Sequence, residues 1–287
     1  MRRGVRRVRA RVGGLATRTR VLGIVALALA TTACLPPPPP TPPPPTPPTA
    51  GAVTIMGPSE LTAQQIADYV CEVDRCTPKS TGGTWKPEIT PIEMAQLFID
   101  EGNAVGVRGD IAFCQSVLET GWFSWPSSPW SETPAADNGS WPGYVQALDH
   151  NYAGIGAFGG STRYMRKPTP WQGVRAHLQH LRNYADNTSL HSNLGNPFES
   201  RLMYGPAEFD TFVYKGQAPT WIQLNGKWAV PGTTYGQNIL RICSEMRAFN
   251  GLPRLPDALD SSGVSSLDAT TVEDQHHELL AETTDRN

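Results

Sequence analysis

Residues 36–49 read PPPPPTPPPPTPPT, and this run decides where a folded domain can and cannot lie. Proline has no backbone N–H to give to a helix or a ladder, and its ring fixes φ, so such a tract adopts polyproline II. At ~3.1 Å per residue it reaches about 43 Å as a semi-rigid spacer. Ahead of it, residues 1–20 carry eight arginines and no acid, residues 21–30 are all apolar or glycine, and small residues continue to Cys34. That layout predicts a secretory signal peptide over residues 1–33, its apolar run about half of what a bilayer-spanning helix needs. Residues 34–57 are then linker, and folded chain begins near Pro58.

Cysteine usage agrees with export. Setting Cys34 aside, as removed or lipid-bearing, leaves Cys71, Cys76, Cys114 and Cys243, an even set suited to an oxidising compartment. The expected pairs are 71 with 76, a local clip, and 114 with 243, a long-range staple. Cys34 is a lipidation candidate: Thr31-Thr32-Ala33-Cys34 matches a lipoprotein signal in part, and cleavage after Ala30 competes with it. Discounting the leader arginines takes 24 basic against 26 acidic residues to 16 against 26, a balance near −10. A net acidic chain without basic clusters argues against nucleic acid as a partner, because phosphate binding depends on Lys and Arg. Beyond Pro253, eight acids face only Arg254 and Arg286, so residues 252–287 read as a disordered acidic tail.

Between linker and tail the pattern is mainly helical. Residues 59–73 read as a helix with Thr62 and Gln65 in capping-box spacing. Thr90, Pro91 and Glu93 supply the N-cap, N1 and N3 positions of a second, with Gly102 and Asn103 to end it. A third runs from Asp110 as N-cap to Gly121, with Ile111, Cys114 and Leu118 on one apolar face. Thr169, Pro170 and Gln172 open a fourth, whose stripe of Trp171, Val174, Leu178, Leu181 and Tyr184 is expected in the core. A fifth spans residues 234–249, with Tyr235, Ile239, Ile242 and Met246 on one face. Residues 221–230 alternate around Asn225-Gly226, the pattern of a β-hairpin. The expected class is therefore mainly α (α+β), with one small hairpin. His177 and His180 stand i, i+3 without a carboxylate partner, and Cys71 and Cys76 lack a second close pair. No metal and no cofactor is expected.

Glu119 holds the most chemical promise. It lies in the last turn before Gly121, where the negative end of the helix dipole and the following aromatics both disfavour a carboxylate. A glutamic acid kept protonated near neutral pH is what a general acid needs; the competing reading is a solvated glutamate at a helix end. Residues 120–150 add Trp122, Phe123, Trp125, Trp130, Trp141 and Tyr144 among Pro, Ser and Gly. Aromatics this dense in a loop suit stacking on sugar rings, and the alternative is that they cover a small core.

Four segments carry a family resemblance. Residues 115–122 (QSVLETGW), 151–156 (NYAGIG), 164–178 (YMRKPTPWQGVRAHL) and 227–235 (KWAVPGTTY) resemble, in order, the motif blocks of the glycoside hydrolase family 73 endo-β-N-acetylglucosaminidases. The resemblance implies a lysozyme-like helical domain over residues 58–251 that hydrolyses the β-1,4 bond after N-acetylglucosamine in peptidoglycan. Glu119 would be the general acid. Gln115, Trp122, Trp125, Asn151, Tyr152 and Tyr235 are the candidate substrate contacts, with a turn role the alternative for Asn151 and core packing for Tyr235. Two departures stand out: the family's Lys after Gly-Ile is replaced by Gly156, and residues 150–185 contain no Asp or Glu to supply its second glutamate. Glu132, Asp137 and Asp149 are substitutes; otherwise the substrate's own N-acetyl group acts as nucleophile. A muramidase or lytic transglycosylase would use Glu119 similarly, and a non-catalytic wall-binding protein is a further alternative. The expected setting is the cell wall outside the cytoplasmic membrane, with peptidoglycan strands as partner and the protein a monomer, secreted or anchored through Cys34.

Overall fold

The computed structural model describes residues 51–126, 145–156, 165–188, 212–256 and 258. The signal peptide, the proline tract, Cys34, Trp130, Glu132, Asp137, Trp141 and Tyr144 lie outside them. Within them the chain is mainly helical: α1 (Ala63–Glu72), α2 (Pro91–Val105), α3 (Gly109–Thr120), α4 (Pro170–Ala185) and α5 (Tyr235–Phe249). Between these lie short 3-10 turns and isolated β-bridges. No helix among the described residues is long and apolar enough to cross a membrane.

Three threonines start three of the helices as their spacing predicts. Thr62 accepts from the Gln65 N–H at 3.2 Å, and Thr62 N–H donates back to Gln65 Oε1 at 2.9 Å. Thr90 and Glu93 repeat this capping box on α2, and Thr169 caps α4 through Gln172. Elsewhere tertiary contacts move the boundaries. Residues 59–61 do not join α1, because the N–H groups of Glu60 and Leu61 donate to Asp110 Oδ2 at 2.8 and 3.3 Å. Asp110 is consequently not an N-cap: that place belongs to Arg108, and Asp110 ties the approach to α1 onto α3. Gly102 does not end α2, which runs on to a left-handed cap at Gly106. Here α2 crosses the start of α3 so closely that a Cβ on Gly102 would come 2.9 Å from Gly109 Cα, and glycine is needed for approach rather than for termination.

Every residue of α3 from Gly109 to Val117 is buried, not only the expected apolar face, since α2 and α5 pack on different sides of it. Cys114 of α3 is disulfide-bonded to Cys243 of α5, Cα to Cα 5.6 Å, and Cys71 to Cys76, 4.8 Å. Both pairs are those expected. The α2–α4 contact holds a buried ion pair in which Arg175 Nε and Nη2 donate to the two oxygens of Glu101, each at 2.7 Å. Trp171 departs from its expected core position: it is exposed, with the Arg175 guanidinium 4.2 Å above its ring.

The hairpin expected at residues 221–230 does not form. Trp221–Leu224 turn as a 3-10 helix, whose i, i+3 spacing buries Trp221 and Leu224 together. Asn225, read as a hairpin turn residue, instead accepts from Gly236 N–H at 2.7 Å and so helps to start α5. The first residues of the expected tail are also held: Arg247 Nε donates to Pro253 O at 2.7 Å, and Leu255 N–H to Ser244 Oγ at 2.9 Å.

Candidate active site

Glu119 sits in the last turn of α3, and Gly121 ends the helix in the left-handed region. Three of the next four residues, none of them glycine, also take positive φ, 62° at Trp122, 56° at Phe123 and 39° at Trp125. Such positions cost roughly 1–3 kcal/mol each and concentrate at functional sites. Thr120 holds the turn, its Oγ1 accepting from Phe123 N–H at 2.8 Å and donating to Ser116 O at 2.6 Å.

Glu119 keeps partial exposure, but its carboxyl group is enclosed by protein. Tyr235, the first residue of α5, donates its hydroxyl proton to Glu119 Oε1, and the Trp228 side chain supplies a second hydrogen bond. Gly154 lies against the other oxygen: a Cβ there would come 3.3 Å from Oε2, and its φ of 62° already favours glycine. Burial pushes the Glu119 carboxyl up to about 7, against the two donors, which favour its charged form. Among the described residues no cation contributes to that balance.

Behind Tyr235 runs a buried polar chain. Gln115 Nε2 donates to Tyr235 Oη at 2.7 Å, and His177 Nε2 lies 2.8 Å from Gln115 Oε1. Ser116 Oγ meets the other ring nitrogen of His177 at 3.4 Å. Burial, with His180 nearby, pushes His177 down to about 3, so its ring is neutral at ordinary pH.

Of the residues expected to contact substrate, Gln115 and Tyr235 thus meet Glu119 through one network, both buried. Asn151 shapes the neighbouring loop: its Oδ1 accepts from Ile155 N–H and its Nδ2 donates to Ile155 O, both at 3.0 Å. That is the turn role. It places Gly154, not the Asn151 amide, at the carboxyl. Tyr152 and Trp125 are both buried, their rings 6.1 Å apart beside Phe123. Trp122 is partly buried against Tyr69 of α1. Of the aromatics after Gly121, Phe123 and Trp125 thus pack into the fold, and Trp130, Trp141 and Tyr144 lie outside the described residues. Asp149 is wholly buried, its oxygens accepting from Arg166 Nε at 2.7 Å and Gln146 N–H at 2.9 Å, which commits it to holding the loop.

A different aromatic group stands beside Glu119. Trp228 lies 5.1 Å from His180, 5.2 Å from Tyr184 and 5.8 Å from His177, ring to ring, and Phe212 and Tyr214 pack on Tyr184. Trp228, Phe212 and Tyr214 remain partly exposed. The signal for this wall was present: His177, His180 and Tyr184 fall at i, i+3 and i+7 on one face of α4. Among the described residues no cluster of three or more His, Cys, Asp or Glu side chains is placed to hold a metal ion.

No family model matches the chain, and no solved structure matches it. It is similar to an uncharacterized protein of Borreliella burgdorferi, 31% identical over 157 residues. The match covers 55% of this chain and 63% of that relative, under two thirds of its length.

Proposed function

We propose that this chain is an exported peptidoglycan hydrolase that cleaves the β-1,4 bond after N-acetylglucosamine, with Glu119 as general acid. One observation carries the reading: a carboxyl raised to about 7 by burial and held by two neutral donors. About half of such a group is protonated at pH 7, so it can deliver a proton to a leaving glycosidic oxygen. The carboxylate left behind accepts from Tyr235 O–H and from Trp228, which stabilise it as the bond breaks. The oxocarbenium carbon is captured by the carbonyl oxygen of the substrate's own 2-acetamido group, and water then opens the resulting ring. Asp149 does not take the nucleophile's part in this scheme, since Arg166 and the Gln146 N–H already occupy its oxygens. The lysozyme-like arrangement belongs to this proposal, as do secretion and anchoring through Cys34. Two disulfides favour an oxidising compartment.

Digestion of purified peptidoglycan, with the new ends identified by mass spectrometry, tests the reading. N-acetylglucosamine reducing ends are expected. Muramic ends would point to a muramidase and anhydromuramic ends to a transglycosylase. No new ends, with sedimentation onto insoluble wall retained, would leave a binding protein.

A further inference from the structure

The chain from Ser116 to Glu119 has one direction. We infer that Gln115 and His177 are positioning residues that act through Tyr235: they aim its hydroxyl proton at Glu119 Oε1, leaving Oε2 as the oxygen that carries the transferable proton. The inference deepens the general-acid reading and rests on it for its purpose, not for its geometry.

The direction follows from counting protons. A neutral imidazole has one N–H and one acceptor nitrogen. His177 Nε2 faces the Gln115 carbonyl oxygen at 2.8 Å and must donate, so Nδ1 accepts from Ser116 Oγ. With its carbonyl occupied, Gln115 turns its NH2 group to Tyr235 Oη at 2.7 Å. Tyr235 already accepts there, and its single proton goes to Glu119 Oε1. An acid proton on Oε1 would meet that hydroxyl head-on. It resides instead on Oε2, the oxygen beside Gly154, where the missing side chain leaves room. Without Gln115, Tyr235 Oη is free to accept from a proton on Oε1, which stabilises neutral Glu119 in an unproductive form. Without the His177 donor, the Gln115 amide can turn over with the same result.

Among the described residues Tyr235 on α5 and Tyr184 on α4 interact with the Glu119 charge, while His177 reaches it only through Gln115 and Tyr235, with His180 beside it on α4. Burial keeps all four neutral near pH 7, raising the tyrosines and lowering the histidines. None of them competes for the titration of Glu119.

The test is a 13C NMR titration of the Glu119 side-chain carboxyl in the folded protein, which needs no substrate. Gln115→Met and His177→Leu should both move its midpoint upward, and His177→Gln, which retains an N–H donor, should return it toward the parent value. Tyr235→Phe should give the largest upward shift. In peptidoglycan digestion, Gln115→Met should lower kcat with KM little changed. Altered thermal stability with an unmoved Glu119 midpoint in Gln115→Met overturns the inference. Should that variant not fold, an unmoved midpoint in Tyr235→Phe overturns it equally. If the midpoints move as stated while the parent protein cuts no glycan, the positioning inference stands and the hydrolase reading falls.

Discussion

Glu101 and Glu119 are both carboxylates drawn away from water, and they are held by opposite means. Glu101 is gripped by both nitrogens of the Arg175 fork, a charge balanced by a charge. Glu119 receives only neutral donors, so burial wins and the group rises to about 7. Glu88 stands between them. Burial pushes it up, but the His150 hydrogen bond at 2.6 Å, its own backbone N–H and the His150 charge bring it below its ordinary value. The three cases separate structure from chemistry: a carboxylate with a cation is a strut, and one without is a proton reservoir near neutral pH.

Removing the proton from the reservoir tests its side of the contrast most severely. Glu119→Gln keeps the shape and the wall contacts but has no acidic proton; peptidoglycan cleavage should fall by about 10²–10⁴-fold with wall binding retained. Full activity would end the general-acid assignment. On the other side, Arg175→Leu removes the guanidinium that balances the Glu101 charge in the α2–α4 contact and should cost about 3–5 kcal/mol in denaturant unfolding. A cost below 1 kcal/mol would show that water reaches Glu101 more freely than its burial implies. The contrast can also be inverted at one site. Trp228→Arg brings a cation to Glu119, and the carboxyl midpoint should drop by about 1–3 units. Activity at neutral pH should fall with it, because the acid is then ionised.

These contacts explain what could and could not be read along the chain. Thr62, Thr90 and Thr169 cap their helices through residues three positions on, so spacing alone reveals them. Glu119 was visible for a similar local reason, as a carboxylate between a helix end and a glycine. Its partner Tyr235 is 116 positions away, and nothing in either segment specifies that one hydroxyl will reach one carboxyl. The same holds for Gly102, whose role depends on α3 crossing behind it, and for Asn225, which a turn and a helix start could both use. Local pattern names donors and breakers. It does not say which distant element will claim them.

The mildest effect concerns His150, the partner that separates Glu88 from Glu119. Its Nε2 lies 2.6 Å from Glu88 Oε1 and its Nδ1 2.6 Å from Lys167 O, two acceptors that both ring nitrogens satisfy only in the imidazolium form. Burial works against that charge, but Glu88, the Lys167 carbonyl and Asp149 together raise His150 above its ordinary 6.5. A group whose folded value is raised adds stability that is fully present below its unfolded value and is lost as pH climbs through the folded one. Stability should therefore slip as pH rises from about 6.5 until His150 is neutral. At the acid end the Glu88 contribution should fade as pH falls below about 4.5, since its folded value lies under that. His150→Gln should flatten the upper slope in a pH series of melting temperatures and leave the Glu119 midpoint near 7, because no His150 contact reaches that carboxyl. An unchanged upper slope would mean that the strut is not charged, and that Glu88 is nearer to Glu119 in kind than their surroundings suggest.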